Sequence, residues 1–221
     1  MPGAAGDTPG RDCPRCPRLV ALRKSWRARE PQWWNAPVPS FGPHEARLLI
    51  VGLAPGLRGA NRTGRPFTGD YAGDLLYATL KEFGFAKGEY RALPDDGLAL
   101  IDCRIANAVR CVPPENKPTP QEIAACRPFL AATIEEMPFL ATVLALGRIA
   151  HETCVLACGA RRAEFPFAHG RAHAIGKLKL YDSYHCSRLN TNTGVLTPKM
   201  FGAVLAKIRA DLDAGESARR V

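Results

Sequence analysis

After Arg47, the stretch ARLLIVGLAP is apolar without interruption until Gly and Pro end it. A strand with one wet face alternates apolar and polar residues. A run that is apolar at every position must be covered on both faces, as strands of parallel sheets are. Helices follow between further strands. DLLYATLKEFG has helical spacing, with Leu75, Leu76 and Leu80 inward and Gly84 as its stop. LALIDCRIANAVRC is a second strand region, and PTPQEIAACRPFLAATIEEM opens on proline and continues with helical periodicity. TVLALG is a third strand, followed by a helix from Arg148 to about Ala157. KLKLYDSYH is a fourth, and TPKMFGAVLAKIRADLD is a closing amphipathic helix with Thr197 as its N-cap. Near the start, a helix is expected from Asp12 through CPRLVALRKSWRARE, and PQWWNAPVPSFGP after it is a proline-broken loop. Strands alternating with helices predict an α/β domain, a three-layer α/β/α sandwich on a four-stranded parallel sheet. Residues 12–214 are expected to form that single domain, with 1–11 a disordered tail and 215–221 a flexible one.

At 221 residues the chain is long enough for one domain with a sizeable core, and its 46% apolar and 23% charged residues are ordinary for a globular protein. The formal net charge of +9 is not ordinary. An excess of Lys and Arg points to a polyanionic partner, of which nucleic acid is the commonest, or to a solubilising surface. No stretch reaches the ~18 apolar residues of a membrane span, and MPGAAGDTPGRD lacks the apolar core of a signal peptide. A cytoplasmic monomer is expected, its eight cysteines thiols or metal ligands rather than disulfides. Cys103, Cys154 and Cys158 read as core packing.

The other cysteines are more informative. Cys13 and Cys16 form a CxxC, and Cys111 and Cys126 flank the insert VPPENKPTPQEIAA. Two pairs from separate segments can converge on one metal centre, either a tetrahedral zinc or a 4Fe–4S cluster. A zinc ribbon usually repeats a second CxxC and this chain does not, which favours the cluster.

In parallel α/β sheets the site lies beyond the carboxyl ends of the strands. The segments there are GLAPGLRGANRTGRPFTGD, NAVRCVPPENKP and HCSRLNTNTG. The first has Gly64-Arg65-Pro66 and Gly69-Asp70-Tyr71 where a phosphate loop needs Gly-Lys-Ser/Thr, and there is no G-x-G-x-x-G, so a nucleotide-binding fold is disfavoured. Its glycines allow close backbone approach to a ligand, and Phe67 offers a face for stacking. Asp70, the only acid in that loop, is either an N-cap for a helix starting at Tyr71 or a functional carboxylate. In the last segment His185 opens a polar run holding Ser187, Arg188 and Asn190, with Leu189 its single apolar side chain. An apolar tip among polar groups suits a wedge between base steps.

Four features in this order, GLAPG…GRPFTGD (52–70), the four cysteines, RCVPPENKPTP (110–120) and HCSRLNTNTG (185–194), resemble the uracil-DNA glycosylase superfamily. More narrowly, they resemble its family 5, the type-B iron–sulfur enzymes. The resemblance runs from about Cys13 to Met200. It implies an α/β/α fold, a structural 4Fe–4S cluster on Cys13, Cys16, Cys111 and Cys126, and hydrolysis of the N-glycosidic bond of a damaged base in DNA. By residue, it implies that His185 stabilises the departing base, that Asn116 is a second catalytic polar group, and that Asp70 orients or activates water. Phe67 matches the stacking aromatic and Leu189 the intercalating residue. Gly52, Ala54, Pro55, Gly56, Phe67 and Asn107 would form the base pocket. Arg58, Arg62, Arg65, Ser187, Arg188, Leu189 and Asn190 would meet the DNA. Ala54-Pro55 is apolar where many relatives carry a polar catalytic residue, as is typical of family 5. Two departures stand out. Cys186 replaces the proline of the usual His-Pro-Ser, and Asn107 stands where many members have a small residue and other branches an asparagine that reads the uracil edge.

The implied activity is excision of uracil, and of other deaminated bases, by flipping the nucleotide out and leaving an abasic site without a lyase step. Two other classes fit parts of the sequence. A non-catalytic iron–sulfur DNA-binding or redox protein leaves the GLAPG and HCSRLN loops unused. A zinc-stapled nuclease lacks the Asp/Glu/His cluster that catalytic divalent ions require.

Overall fold

The prolines around Cys16 decide where the chain first becomes helical. In this computed structural model, which describes residue 6 and residues 8–219 with side chains through residue 215, Cys16 is extended (φ −125°, ψ 90°) and helix α1 runs Pro17–Arg29. The expected start near Asp12 is therefore too early: Pro17 has the fixed φ of a first helical turn, whereas Pro14 keeps Cys13 out of the helical region. Most of the anticipated N-terminal tail lies outside the described residues. Arg11, within that range, is placed: its carbonyl accepts from Arg27 and its guanidinium lies over the Trp34 ring.

The chain then forms β1 (Leu48–Gly52), the short α2 (Ala60–Thr63) and α3 (Tyr71–Glu82). The second strand region divides into a small hairpin, β2 (Ala86–Lys87) with β3 (Ala99–Leu100), and the sheet strand β4 (Cys103–Asn107). Helix α4 (Pro120–Glu136) starts on a capping box in which Thr119 and Glu122 bond each other's backbone N–H. β5 (Thr142–Leu146), α5 (Arg148–Ala157), β6 (Ala172–Ile175), β7 (Leu178–Ser183), α6 (Arg188–Asn192) and α7 (Pro198–Arg219) complete the order. Thr197 Oγ1 accepts from Met200 N as the expected cap of α7, and that helix runs past Gly215, where a loose end was expected, to Arg219.

The result is a mixed α/β fold around one mainly parallel sheet, ordered β4-β1-β5-β7-β6. The expected four strands are present and parallel, but the sheet has a fifth, β6, antiparallel to β7 across the turn at Gly176 and Lys177. β1 is buried along its whole length, and its side chains alternate between two cores. Leu48 and Ile50 pack with Leu76 and Leu80 of α3 and Leu205 and Ile208 of α7. Leu49 and Val51 pack with Leu130 of α4 and Ala150 and Cys154 of α5. Cys103 and Cys154 are fully buried and Cys158 packs at the margin, as core residues. Among the described residues no helix is long and apolar enough to cross a membrane.

Candidate active site

The carboxyl ends of β1, β4 and β7 open on a cleft of about 640 Å³. Its lining combines Ala54–Ala60 after β1 and Phe67, Asp70 and Tyr71 before and at the start of α3. Asn107 at the end of β4, Asn116, and His185, Ser187 and Arg188 after β7 complete it. The three proposed catalytic residues, far apart in sequence, therefore share one cleft. A slightly larger depression of about 710 Å³ lies at the opposite, amino edge of the sheet, where Arg47, Asp102 and Arg209 are engaged in ion pairs.

The cleft floor is built on Gly52. A Cβ there would come within 2.5 Å of Asn107 Oδ1 and 2.6 Å of the Phe67 ring, so the absent side chain is what lets both reach the sheet edge. Asn107 is buried, and its Oδ1 has no hydrogen-bond partner among the described residues. A buried acceptor left open in a cleft is costly unless a ligand satisfies it. The Phe67 and His185 rings lie 5.9 Å apart, centroid to centroid. Burial lowers the His185 pKa to about 4, so the imidazole is neutral at pH 7 and offers one N–H donor.

Phe67 sits in the left-handed backbone region (φ 53°), costly for a bulky residue. The turn is held from below. Tyr90 donates to the Phe67 carbonyl (3.1 Å) and Tyr77 to that of Pro66 (2.6 Å). Arg65 bonds Thr68 Oγ1 (2.7 Å) and both carboxylate oxygens of Asp96 (2.9 and 2.8 Å). This corrects the reading of Arg65 as a phosphate ligand. Its side chain is only 6% exposed, flanked by the Phe41, Tyr77 and Tyr90 rings, and it supports the Phe67 turn from inside.

Asp70 divides its oxygens between both sequence readings. Oδ1 accepts from Gly73 N (3.3 Å) as the cap of α3, while Oδ2 faces Gly56 and Gly59, where a Cβ would come within 3.0 and 2.6 Å of it. Burial raises its pKa above the ordinary carboxylate value. Asn116 is exposed at the cleft and, like Glu115, has a left-handed backbone (φ 57° and 54°).

At the mouth, Leu189 is 72% exposed, the most open of the exposed large apolar residues. Arg188 lies over the Tyr71 ring, and Arg58 is exposed along the cleft. Arg62 is exposed but lines a neighbouring groove with Trp33 and Trp34. Ser187 and Asn190 are engaged within the loop: Ser187 Oγ accepts from Asn190 N as the cap of α6, and Asn190 Nδ2 donates to the His185 carbonyl (2.8 Å). Asn190 thus shapes the loop rather than reaching out of it.

Cys13, Cys16, Cys111 and Cys126 line one small cavity with Leu19, Val109 and Phe129. Four thiols from two separate segments on one cavity are a donor set that can hold either a zinc ion or an iron–sulfur cluster. Donors already point at sulfur: Arg110 N reaches Cys126 Sγ (3.3 Å) and Arg23 Nη1 reaches Cys111 Sγ (3.7 Å). Burial pushes the thiols up, Cys16 to about 11 and Cys111 to about 12, so a bound metal is what would make them thiolates. Arg23 was not singled out in the sequence, although its spacing from Leu19 puts both on one face of α1, next to the cap residue Cys16.

Residues 39–209 match the Uracil DNA glycosylase superfamily. The chain therefore belongs to that superfamily, a class of DNA N-glycosylases. It is 46% identical over 204 residues to the type-5 uracil-DNA glycosylase of Thermus thermophilus, covering 89% of this chain and 92% of the relative. The type-5 uracil-DNA glycosylase of Pyrobaculum aerophilum is 39% identical over 204 residues (90% and 89%), and that of Mycobacterium tuberculosis 39% over 206 (89% and 77%).

Proposed function

We propose that this protein excises uracil, and other deaminated bases presenting the same edge, from DNA by hydrolysing the bond between base and sugar. The observation that carries the reading is the open acceptor of Asn107 in the cleft that the neutral ring of His185 also lines. Uracil presents an N–H between two carbonyls, which an Asn side chain can meet with its oxygen as acceptor and its nitrogen as donor. Cytosine presents a lone pair at that position and would leave the buried Asn107 oxygen facing another acceptor. Hypoxanthine and xanthine carry an N–H next to a carbonyl, which extends the expected range to them.

Chemistry on a base in a duplex requires the nucleotide to be flipped out, at a cost of a few kcal/mol in lost stacking. Leu189 fills the space left behind, and Arg58 and Arg188 hold phosphates near the mouth. As the glycosidic bond breaks, its electron pair leaves with the base and positive charge develops on the sugar. His185 donates to the base oxygen that gains charge, and Phe67 holds the ring by stacking. Water adds to the sugar carbon and loses a proton. Asp70, its pKa raised by burial, takes that proton from a water that Asn116 helps to orient.

The cysteine set would hold a 4Fe–4S cluster whose contribution is structural, tying α1 to the 111–126 segment that carries Asn116. Arg18, paired with Glu122 at 2.7 Å, makes the same connection without metal. We further read the two helical faces as the outer layers of a three-layer sandwich, and the protein as a monomer acting in the cytoplasm. The test is a panel of oligonucleotides bearing uracil, hypoxanthine or xanthine, assayed in excess EDTA. Free base and an abasic site are expected; strand scission that EDTA abolishes would indicate a nuclease instead.

A further inference from the structure

Behind the cleft, on the α5 side of β7, three titratable side chains form a buried cluster that the mechanism above does not use. Asp182, near the end of β7 and fully buried, meets His151 Nδ1 through Oδ1 at 2.6 Å. Its Oδ2 meets His173 Nε2 of β6 at 3.1 Å and accepts from Ala168 N at 3.1 Å. The second nitrogen of His151, Nε2, lies 2.7 Å from the Phe165 carbonyl. Both His151 nitrogens therefore face oxygen acceptors. A neutral imidazole has only one N–H, so a neutral ring here would press a lone pair against a carboxylate or a carbonyl. The Ala168 N–H on Oδ2 favours Asp182 as the carboxylate, which leaves the proton on His151. A separation of 2.6 Å suits a proton between nitrogen and oxygen. Two ligands of one metal ion, each about 2.0–2.1 Å from it, would stand farther apart in a tetrahedral site.

This cluster is wired to His185. His151 N donates to the Gly147 carbonyl at the start of α5, Gly147 N donates to the Ser183 carbonyl, and a Cβ on Gly147 would stand 3.6 Å from the His185 Cβ. On the other side, Tyr184 N donates to His169 Nδ1 (3.1 Å) and the two rings stack 4.9 Å apart. We propose that His151 is a protonated positioning residue which, through Asp182, sets the strand exit that delivers His185 to the departing base. The titratable and charged groups around it are Asp182 from β7, His173 from β6 and, on its own helix, Glu152 and Arg148; Arg161 and Arg162 line the same depression, paired with Glu164 and Glu152, and Arg148 lies over the Phe167 ring.

The inference rests on the proposed role of His185, and two measurements separate the failures. Nitrogen-detected NMR of the wild-type protein at pH 7.5 should show one histidine with protons on both ring nitrogens, absent from His151→Gln. If every histidine shows one bare nitrogen, the protonated clamp is wrong. Single-turnover rates of His151→Gln, His185→Ala and the double variant form the second arm. We expect His151→Gln alone to slow cleavage by about tenfold with KM little changed, and to add less than twofold once His185 is alanine. Independent, multiplying effects would show that His151 acts on general stability and overturn the positioning role. If His185→Ala itself cuts normally, the reading of His185 has failed, whatever the NMR shows.

Discussion

Phe67 and His185, 118 positions apart in sequence, face each other across the cleft with ring planes inclined by only 29°. One ring can stack on a base while the other, neutral, donates to its oxygen. Removing a single well-placed donor to a developing oxyanion typically costs ~10²–10³ in rate. His185→Ala should lose about that factor in single-turnover cleavage with little change in DNA affinity. The same side chain sets an acid limit. Its folded pKa of about 4 lies below the value of about 6.5 in an unfolded chain, so the unfolded state binds more protons between those values. Its contribution to stability is whole above about pH 6.5 and declines as the pH falls toward 4. Melting temperature should therefore drop less steeply over that window in His185→Asn than in the wild type.

Gly52→Ala tests the cleft floor with one methyl group. The added carbon would overlap Asn107 Oδ1 and the Phe67 ring, both buried. Overpacking of this kind costs about 1–3 kcal/mol. Uracil excision should fall by at least tenfold, with a small loss in melting temperature. A variant as active as the wild type would show that Asn107 and Phe67 need not sit where they do.

Arg65 should behave as a core residue. Removing one partner of a buried ion pair costs about 3–5 kcal/mol, because the other charge is left unpaired. Arg65→Met should melt well below the wild type, yet leave the slope of log affinity against log salt unchanged. Arg188→Ala should show the reverse: near-normal stability and a salt slope reduced by about 1.

Leu189→Ala should matter mainly on duplex DNA, where a stack and a partner strand must be held apart. Paired and unpaired uracil substrates assayed side by side provide the measurement, with the greater loss expected on the paired one.

Purified protein should be brown, with broad absorbance near ~400 nm from thiolate-to-iron charge transfer, lost in Cys126→Ser. A colourless, active protein carrying one zinc would refute the cluster.

Much of this was legible in the chain because the signals are local. An all-apolar run marked β1, Gly84 followed α3, Thr197 preceded α7, and the polar loops after the strands proved to share the cleft. Arg65 was misread because a cation in a glycine-rich loop is ordinarily at the surface. Its burial depends on Asp96 and on Tyr77 and Tyr90, contacts that no short window contains. β6 was missed because its AHAI segment, with only Ile175 buried, has no strong apolar run, although Gly176 before KLKLY is a hairpin signal. The His151–Asp182–His173 cluster was invisible for a similar reason: it draws one residue each from a helix and two strands.

The sheet order also bears on how the chain reaches this structure. β1 is made early, yet its neighbours are β4 and β5, pairing Leu48 with Cys103 and Thr142, and the row is not complete until Ser183 at the end of β7. During synthesis its five apolar residues must wait, unpaired, for partners that have not been made. Domains built from such distant pairings fold slowly. Cys13 and Cys16 wait likewise for Cys126 on α4, so any metal centre there can close only after that helix exists. The slow step in refolding should accordingly be docking of β1 between β4 and β5, with the local β6–β7 hairpin forming well before it.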